Sequence, residues 1–160
     1  MRKINDKSLF IRGYIDSDIM DLLKIWEDAS RKSHDFFPSS FFIAERERVS
    51  ELYIPNALTY VAELDENAIG FISMIGNEIG GLFISPKFQG MGVGGALIHH
   101  VSEQHSSLDV RVFLKNKSAI SFYLKNRFKI ISDDDGEYYG ERMLKATKVL
   151  ITTQVASAKS

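Results

Sequence analysis

The sequence predicts an α/β domain of the α+β kind, a mixed and mostly antiparallel sheet of six or seven strands flanked by about four helices. Three observations predict it. Short apolar runs bounded by turn residues alternate with segments of helical periodicity. Three such runs follow one another between residues 58 and 85 with turns too short for a crossover, so they form an antiparallel meander. A strand then enters a helix through a turn with four glycines in the six residues Gly90–Gly95.

Taken in order, Leu9–Ile15 reads as the first strand. Asp16 offers an N-cap, and Ile19, Leu22, Leu23 and Trp26 then recur at helical spacing. Ser30 to Pro38 breaks that pattern. A second helix starts near Ser39 or Ser40 and ends before Pro55, with a charged face from Glu45 to Glu51. The meander comprises Leu58–Leu64, Ala68–Ile75 and Glu78–Ser85, joined at Asp65-Glu66-Asn67 and Gly76-Asn77. Pro86 ends the third strand because it has no N–H for the ladder. A helix from Gly92 to His105 buries Val93, Leu97 and Val101, and Val110–Leu114 is a strand. Asn116 to Asn126 is a helix, and Phe128–Ile131 pairs with Tyr138–Ala146 around the acidic turn Asp133-Asp134-Asp135-Gly136.

A chain of 160 residues fits one domain, here 1–148, followed by a polar tail over 149–160. Hydrophobic residues are 44% and charged residues 26%, ordinary for a soluble globular protein. The net charge of −1 excludes a broad basic field for nucleic acid. No apolar run reaches the ~18 residues of a membrane span. With no leader-like N-terminus either, a cytoplasmic location is expected. Cysteine is absent, which removes disulfides, thiolate zinc sites and a cysteine nucleophile. No metal is expected. His99 and His100 are adjacent and cannot share a helix face, nothing nearby completes a set with His105, and Asp133–Asp135 lacks the spaced ligands of a calcium loop.

The glycines carry the functional signal. Inside a helix each costs about 1 kcal/mol relative to alanine, so something requires them. Without Cβ atoms, successive N–H groups can point at one anion, and the following helix N-terminus adds unpaired donors and partial positive charge. The implied ligand is a phosphate or pyrophosphate; a turn that only lets helix and sheet pack closely needs fewer glycines. A Walker loop would need Lys-Ser or Lys-Thr where Gly95-Ala96 stands, and a dinucleotide fingerprint belongs on the first strand of a parallel sheet.

The run Leu82-Phe83-Ile84-Ser85-Pro86-Lys87-Phe88-Gln89-Gly90-Met91-Gly92-Val93-Gly94-Gly95-Ala96-Leu97-Ile98 resembles the acetyl-CoA motif of the GNAT N-acetyltransferases, of the small single-domain bacterial type. Gln89, Gly92 and Gly94 match its Gln/Arg-x-x-Gly-x-Gly/Ala core. Asn116, Ala119, Ile120, Phe122, Tyr123 and Phe128 match a second family pattern, Asn-x-x-Ala-Ile-x-Phe-Tyr followed by Gly-Phe. At that glycine stands Arg127, and Asn126 is expected to cap the helix one residue earlier. The resemblance covers about residues 9 to 147.

It implies an acyl-CoA-dependent N-acyltransferase with acetyl-CoA as co-substrate and a small-molecule or peptide amine as acceptor, and family members often form homodimers. The acetyl group would pass by direct attack through a tetrahedral intermediate. The amides of Gln89, Gly90, Met91, Gly92, Val93, Gly94 and Gly95 would hold the pyrophosphate. Leu82, Phe83 and Ile84 would run beside the pantetheine arm, with Ile84 N–H donating to the developing oxyanion. Asn116 and Phe122 would border that arm, and Lys125 would lie near the outer phosphates. Tyr123 would be the general acid. A protonated amine has no lone pair, so a base is needed. Glu78 at the start of its strand and His34 in the break after the first helix are the candidates, with water as the alternative. The residues 30–55 are expected to set the acceptor, with Trp26, Phe36 and Phe37 either lining its groove or packing in the core. Glu45, Glu47 and Glu51 would favour a cationic amine or form a solvated face. A catalytically silent acetyl-CoA sensor of the same fold is the competing reading, and a nucleotide hydrolase the third.

Overall fold

The structure, a computed structural model, describes residues 2–150. They form a mixed α/β fold with nine strands, slightly more than expected, and four helices. By contact they group into two compact units. The first holds the described residues up to Ile75 together with Gly80–His100, and the second holds Gly76–Ile79 with the described residues from Val101 on. Of the tail expected over 149–160, residues 151–160 lie outside the described residues.

In the first unit β1 (Lys3–Ile4) and β2 (Lys7–Gly13) form a hairpin that the sequence reading missed. Its two-residue turn is Asn5-Asp6, with φ of 52° and 64°. Both side chains tolerate this left-handed backbone, which matches the twist of the flanking strands. β2 pairs antiparallel with β3 (Leu58–Leu64), and β3 with β4 (Asn67–Ile75), with a bulge at Ala62/Glu63. Asp65-Glu66 is a second turn of the same hand, at φ 54° and 66°. β5 (Glu78–Ile84) follows, its first two residues grouping with the second unit.

Helix α1 (Ile19–Ser33) is longer than its pattern suggested and buries Leu22, Leu23, Ile25, Trp26 and Ala29. Asp16 makes no cap bond; Asp18 does the anchoring instead. Its carboxylate accepts from Ile15 N at 2.9 Å and takes both arms of the Arg12 guanidinium at 2.8 Å. Arg12 also reaches Glu63 at 2.9 Å. These charge-assisted bonds hold Asp18 below the usual carboxylate range although it is buried.

Helix α2 (Ser39–Arg48) passes into a π turn over Val49–Tyr53 and a last turn at Ile54–Asn56. Pro55 therefore sits inside the helical segment rather than beyond it, as the second residue of its last turn. Glu45 is buried and paired with Arg48 at 3.1 Å, so that part of the charged face is not solvated. Phe37 stacks on Phe41 at 3.9 Å, and Trp26 meets Phe42 at 6.5 Å. Trp26 and Phe37 are core residues.

Helix α3 runs from Val93 to Ser102. It stops short of His105 because the chain tightens into three-residue turns, Gln104 N to Val101 O and His105 N to Ser102 O. In the second unit β6 (Ser107–Phe113) pairs antiparallel with β9 (Glu141–Val149), and β9 with β7 (Lys129–Ser132). Helix α4 (Lys117–Lys125) lies between β6 and β7 in sequence. The expected strand Tyr138–Ala146 is two: β8 (Glu137–Tyr138) turns back on β9 through Tyr139-Gly140, both at positive φ. No helix among the described residues is long and apolar enough to cross a membrane.

Candidate active site

The glycine-rich turn begins where β5 loses a partner. Parallel pairing of β5 with β6 is confined to Glu78↔Asp109 and Ile79↔Val110. From Gly81 to Pro86 every residue is half-buried, where an ordinary strand would alternate. Ser85 N still donates to Ile69 O at 2.8 Å, tying the strand's end to β4. Gly70 permits this approach. A Cβ there would meet Phe83 O at 3.1 Å and Ile84 Cδ1 at 2.6 Å. Nothing in the sequence pattern marked Gly70 as different from any strand glycine.

After Ile84 a single 3-10 turn, Pro86–Phe88, delivers the chain to Gln89. Gly90 and Gly92 adopt φ of 79° and 86°, the left-handed region where a side chain is costly. Nothing lies within 4 Å of where a Gly90 Cβ would be. Gly94 and Gly95 lie in the first turn of α3, whose leading N–H groups have no partners inside the helix. The turn thus presents a backbone-lined face at a helix N-terminus, open at Gly90 and covered at Gly92 by the Arg2 side chain. That cradle fits a pyrophosphate, since an amide-lined face without Cβ atoms admits an anion at hydrogen-bond range.

Side chains brace it. Gln89 Nε2 donates to Ile84 O at 2.9 Å, and its Oε1 accepts from Lys32 Nζ at 3.1 Å. Gln89 therefore holds the strand end and the turn in one geometry, and its side chain already occupies the Ile84 carbonyl. Arg2 Nη2 donates to Met91 O at 3.2 Å. Lys32 and Arg2 were not singled out from sequence. Each is an ordinary basic residue until the fold carries it, across 57 and 89 positions, to the turn.

In the second unit, Asn116 caps α4. Its Oδ1 accepts from Ala119 N and Ser118 Oγ, both at 3.2 Å. Tyr123 is buried, with its ring edge-on to Phe122 and Phe128, each at 5.1 Å. Burial pushes its phenol well above the ordinary value, so it stays protonated. Lys125 is exposed. Asn126 is the C-cap, as expected, its Nδ2 donating to Phe122 O at 2.9 Å, and the left-handed conformation falls on the next residue, Arg127, at φ 69°. Phe128 N bonds back to Tyr123 O at 3.0 Å and Arg127 N to Leu124 O at 3.1 Å. This is a Schellman closure, completed by the Phe128–Tyr123 ring contact. The Tyr123 carbonyl and ring are thus both held by the end of the helix.

The base candidates fare differently. The Glu78 carboxylate takes Arg111 Nε at 3.0 Å. That carboxylate is therefore engaged by a neighbouring strand's side chain. His34 closes α1, its Nδ1 3.1 Å from Ser30 Oγ and its ring edge-on to Phe36 and Phe37. Burial pulls its pKa down to about 4, so it is neutral at physiological pH. Among the described residues no group of three or more His, Asp or Glu is placed to hold a metal.

The family model of the acetyltransferase (GNAT) domain matches residues 55–130, which hold the meander, the turn, α3 and α4. The peptidyl-lysine N-acetyltransferase YiaC of Escherichia coli is 30% identical over 116 residues, 72% of this chain and 80% of that protein. The peptidyl-lysine N-acetyltransferase YjaB of Salmonella typhimurium is 32% identical over 123 residues, 74% of this chain and 84% of its own.

The chain belongs to the GNAT acetyltransferase family. It is an acyl-CoA-dependent acetyltransferase, and acetyl-CoA is its co-substrate. The fold agrees. The solution structure of apo YjaB from Escherichia coli superposes with a TM-score of 0.78 at 25% identity, covering 90% of this chain and 98% of that one. The PaiA N-acetyltransferase of Thermoplasma acidophilum, solved in complex with coenzyme A, has the same fold, with a TM-score of 0.76 at 20% identity over 89% of this chain and 99% of its own. Within this GNAT chain the motif residues of the turn lie together in the first unit, while Asn116, Phe122, Tyr123, Lys125 and Glu78 belong to the second.

Proposed function

We propose that the protein acetylates a primary amine, the side chain of a lysine in a peptide or protein, by direct attack of the amine on the thioester of acetyl-CoA. The observation that carries the donor half is the turn at Gly90–Gly92. Two left-handed glycines ahead of a helix N-terminus, braced by Gln89, suit a pyrophosphate held by main-chain amides. The acceptor class rests on the relatives, two of which are named peptidyl-lysine N-acetyltransferases. The π turn at Val49–Tyr53, with Leu52 and Tyr53 exposed, supports residues 30–55 as the acceptor side, because such turns concentrate at functional sites.

In this reading Gln89–Gly95 hold the pyrophosphate, and Leu82, Phe83 and Ile84 flank the pantetheine arm. Ile84 N–H donates to the carbonyl oxygen as the tetrahedral intermediate forms, and Tyr123 donates to the departing sulfur. A phenol above 10 facing a thiol near 8.5 transfers its proton uphill, at ~1.36 kcal/mol per unit. Tyr123 therefore acts as a hydrogen-bond donor to the sulfur in the transition state, and the second proton, shed by the nitrogen after it bonds to the carbonyl carbon, completes the thiol. Asn116, as the cap of α4, positions Tyr123 rather than gripping the arm. Neither Glu78, tied to Arg111, nor His34, a weak base, suits direct deprotonation of an amine near 10.4. We assign the ammonium's proton to bulk solvent, from which the small neutral fraction of the amine binds. That same scarcity of a strong base favours the competing reading of a silent acetyl-CoA sensor.

Calorimetry with acetyl-CoA tests the donor half, on wild type and on Gly92→Trp and Gly94→Trp. Binding by wild type that both variants lose is the expected result. A folded wild type that binds no acetyl-CoA would sink the assignment of the turn. CoA release with lysine peptides then separates enzyme from sensor.

A further inference from the structure

The N-terminal hairpin places a cation on the glycine turn. β1 and β2 fold back through Asn5-Asp6, and Leu9 N holds the Arg2 carbonyl at 2.9 Å. The Arg2 backbone is therefore anchored one residue before the sheet. From there its guanidinium reaches the turn, donates to Met91 O at 3.2 Å, and lies over the α-carbon of Gly92. A Cβ on residue 92 would collide with the guanidinium carbon and nitrogens. The absence of a side chain at Gly92 thus opens the turn to Arg2 as well as to an anion.

Three cations border this turn in a chain of net charge −1: Arg2 at Met91, Lys32 at Gln89, and Lys87 within the 3-10 turn that precedes it. A guanidinium carries five N–H donors in a planar fork suited to two phosphate oxygens at once. One exposed bond to a carbonyl leaves most of that capacity unused. We propose that Arg2 is a phosphate-binding residue of the acetyl-CoA site, pairing its guanidinium with the pyrophosphate that the turn's amides hold. The proposal rests on the reading of the turn as the pyrophosphate site. In it the N-terminal hairpin is part of the donor site, contributing charge that the amides, with partial charges alone, lack. The pairing is charge-assisted and geometric, so arginine serves better than lysine.

The test is calorimetric titration of acetyl-CoA, at low and moderate salt, into wild type, Arg2→Ala and Arg2→Lys, with thermal melts of each. A charge-assisted hydrogen bond corresponds to roughly 10- to 100-fold in affinity. Arg2→Ala is expected to weaken binding by that factor, Arg2→Lys by less, with the difference from wild type shrinking as salt screens it. Inorganic pyrophosphate, used as a competitor, is expected to lose affinity for Arg2→Ala in parallel. Equal affinity in wild type and Arg2→Ala overturns the proposal, as does tighter binding by Arg2→Ala, which would make Arg2 a plug. A lowered melting temperature with unchanged affinity overturns it too, since Arg2 would then only staple the hairpin. If wild type itself binds no acetyl-CoA, the reading of the turn fails first, and pyrophosphate binding that depends on Arg2 would still stand apart from it.

Discussion

Replacing Arg127 with glycine is expected to stabilise this protein. Arg127 occupies the position after the α4 cap at φ 69°, where an L side chain costs about 1–2 kcal/mol. Glycine removes that cost but loses about 0.5–1 kcal/mol more chain entropy on folding. The net gain is about 0.5–1 kcal/mol. Both Schellman bonds are main-chain and survive the change, as does the Tyr123–Phe128 contact. A charge effect runs alongside. Lys148 is held below the usual lysine range, chiefly by burial and then by Arg127. Comparing Arg127→Gly with Arg127→Ala separates the two, because both lose the charge and only glycine loses the strain. Chemical denaturation at pH 7 should rank glycine above alanine by about 1 kcal/mol, and glycine above wild type. At this chain length that gap is about 2–4 °C in melting temperature. If alanine matches glycine, the backbone argument is wrong and the helix end does not carry the strain assigned to it.

Tyr123→Phe should lower turnover with lysine peptides about 10²- to 10³-fold, the loss of one hydrogen-bond donor at the transition state, while leaving the acetyl-CoA Kd within about twofold; a loss mainly in affinity would refute its role at the departing sulfur. Glu78→Gln should keep most of the activity, since its carboxylate is engaged by Arg111; a turnover loss of 100-fold or more, with a shifted acid limb, would restore it as the base. His34 titrates near 4 in the folded chain against ~6.5 unfolded. The unfolded state therefore binds the extra proton first, and stability falls as pH drops from 6.5 towards 4, by at most roughly 3 kcal/mol at 1.36 kcal/mol per unit. His34→Phe should flatten that slope in denaturation curves at pH 7, 5.5 and 4.5; an unchanged slope would show that His34 is not the group responsible.

The parts of this fold that were legible from the sequence share a cause. β3 was read to the residue, and β4 and β5 closely, because apolar periodicity and turn residues report burial within one element. The hairpins at Asn5-Asp6 and Tyr139-Gly140 were missed because their strands are two residues on one side, too short for any period to register. Pro55 misled in the other direction. A proline reads as a stop, yet after a π turn it stands second in the last helical turn.

Among the candidate residues, the glycines, Gln89, Asn116 and Tyr123 stand out in the sequence because their spacing along the chain is itself the motif. That much the sequence determined alone: a strand, a glycine-rich turn, a helix, and the family they belong to. Only tertiary structure decided which side chains act on that turn and which candidates are spent elsewhere. Arg2 and Lys32 come to it through a hairpin and a helix end, Glu78 is drawn to Arg111 by strand pairing, and Gly70 is fixed by the approach of β5. The physical reason is range. Backbone preference and periodicity act over a few residues and are written locally, whereas charge pairing and close packing depend on distances that exist only once the chain has folded.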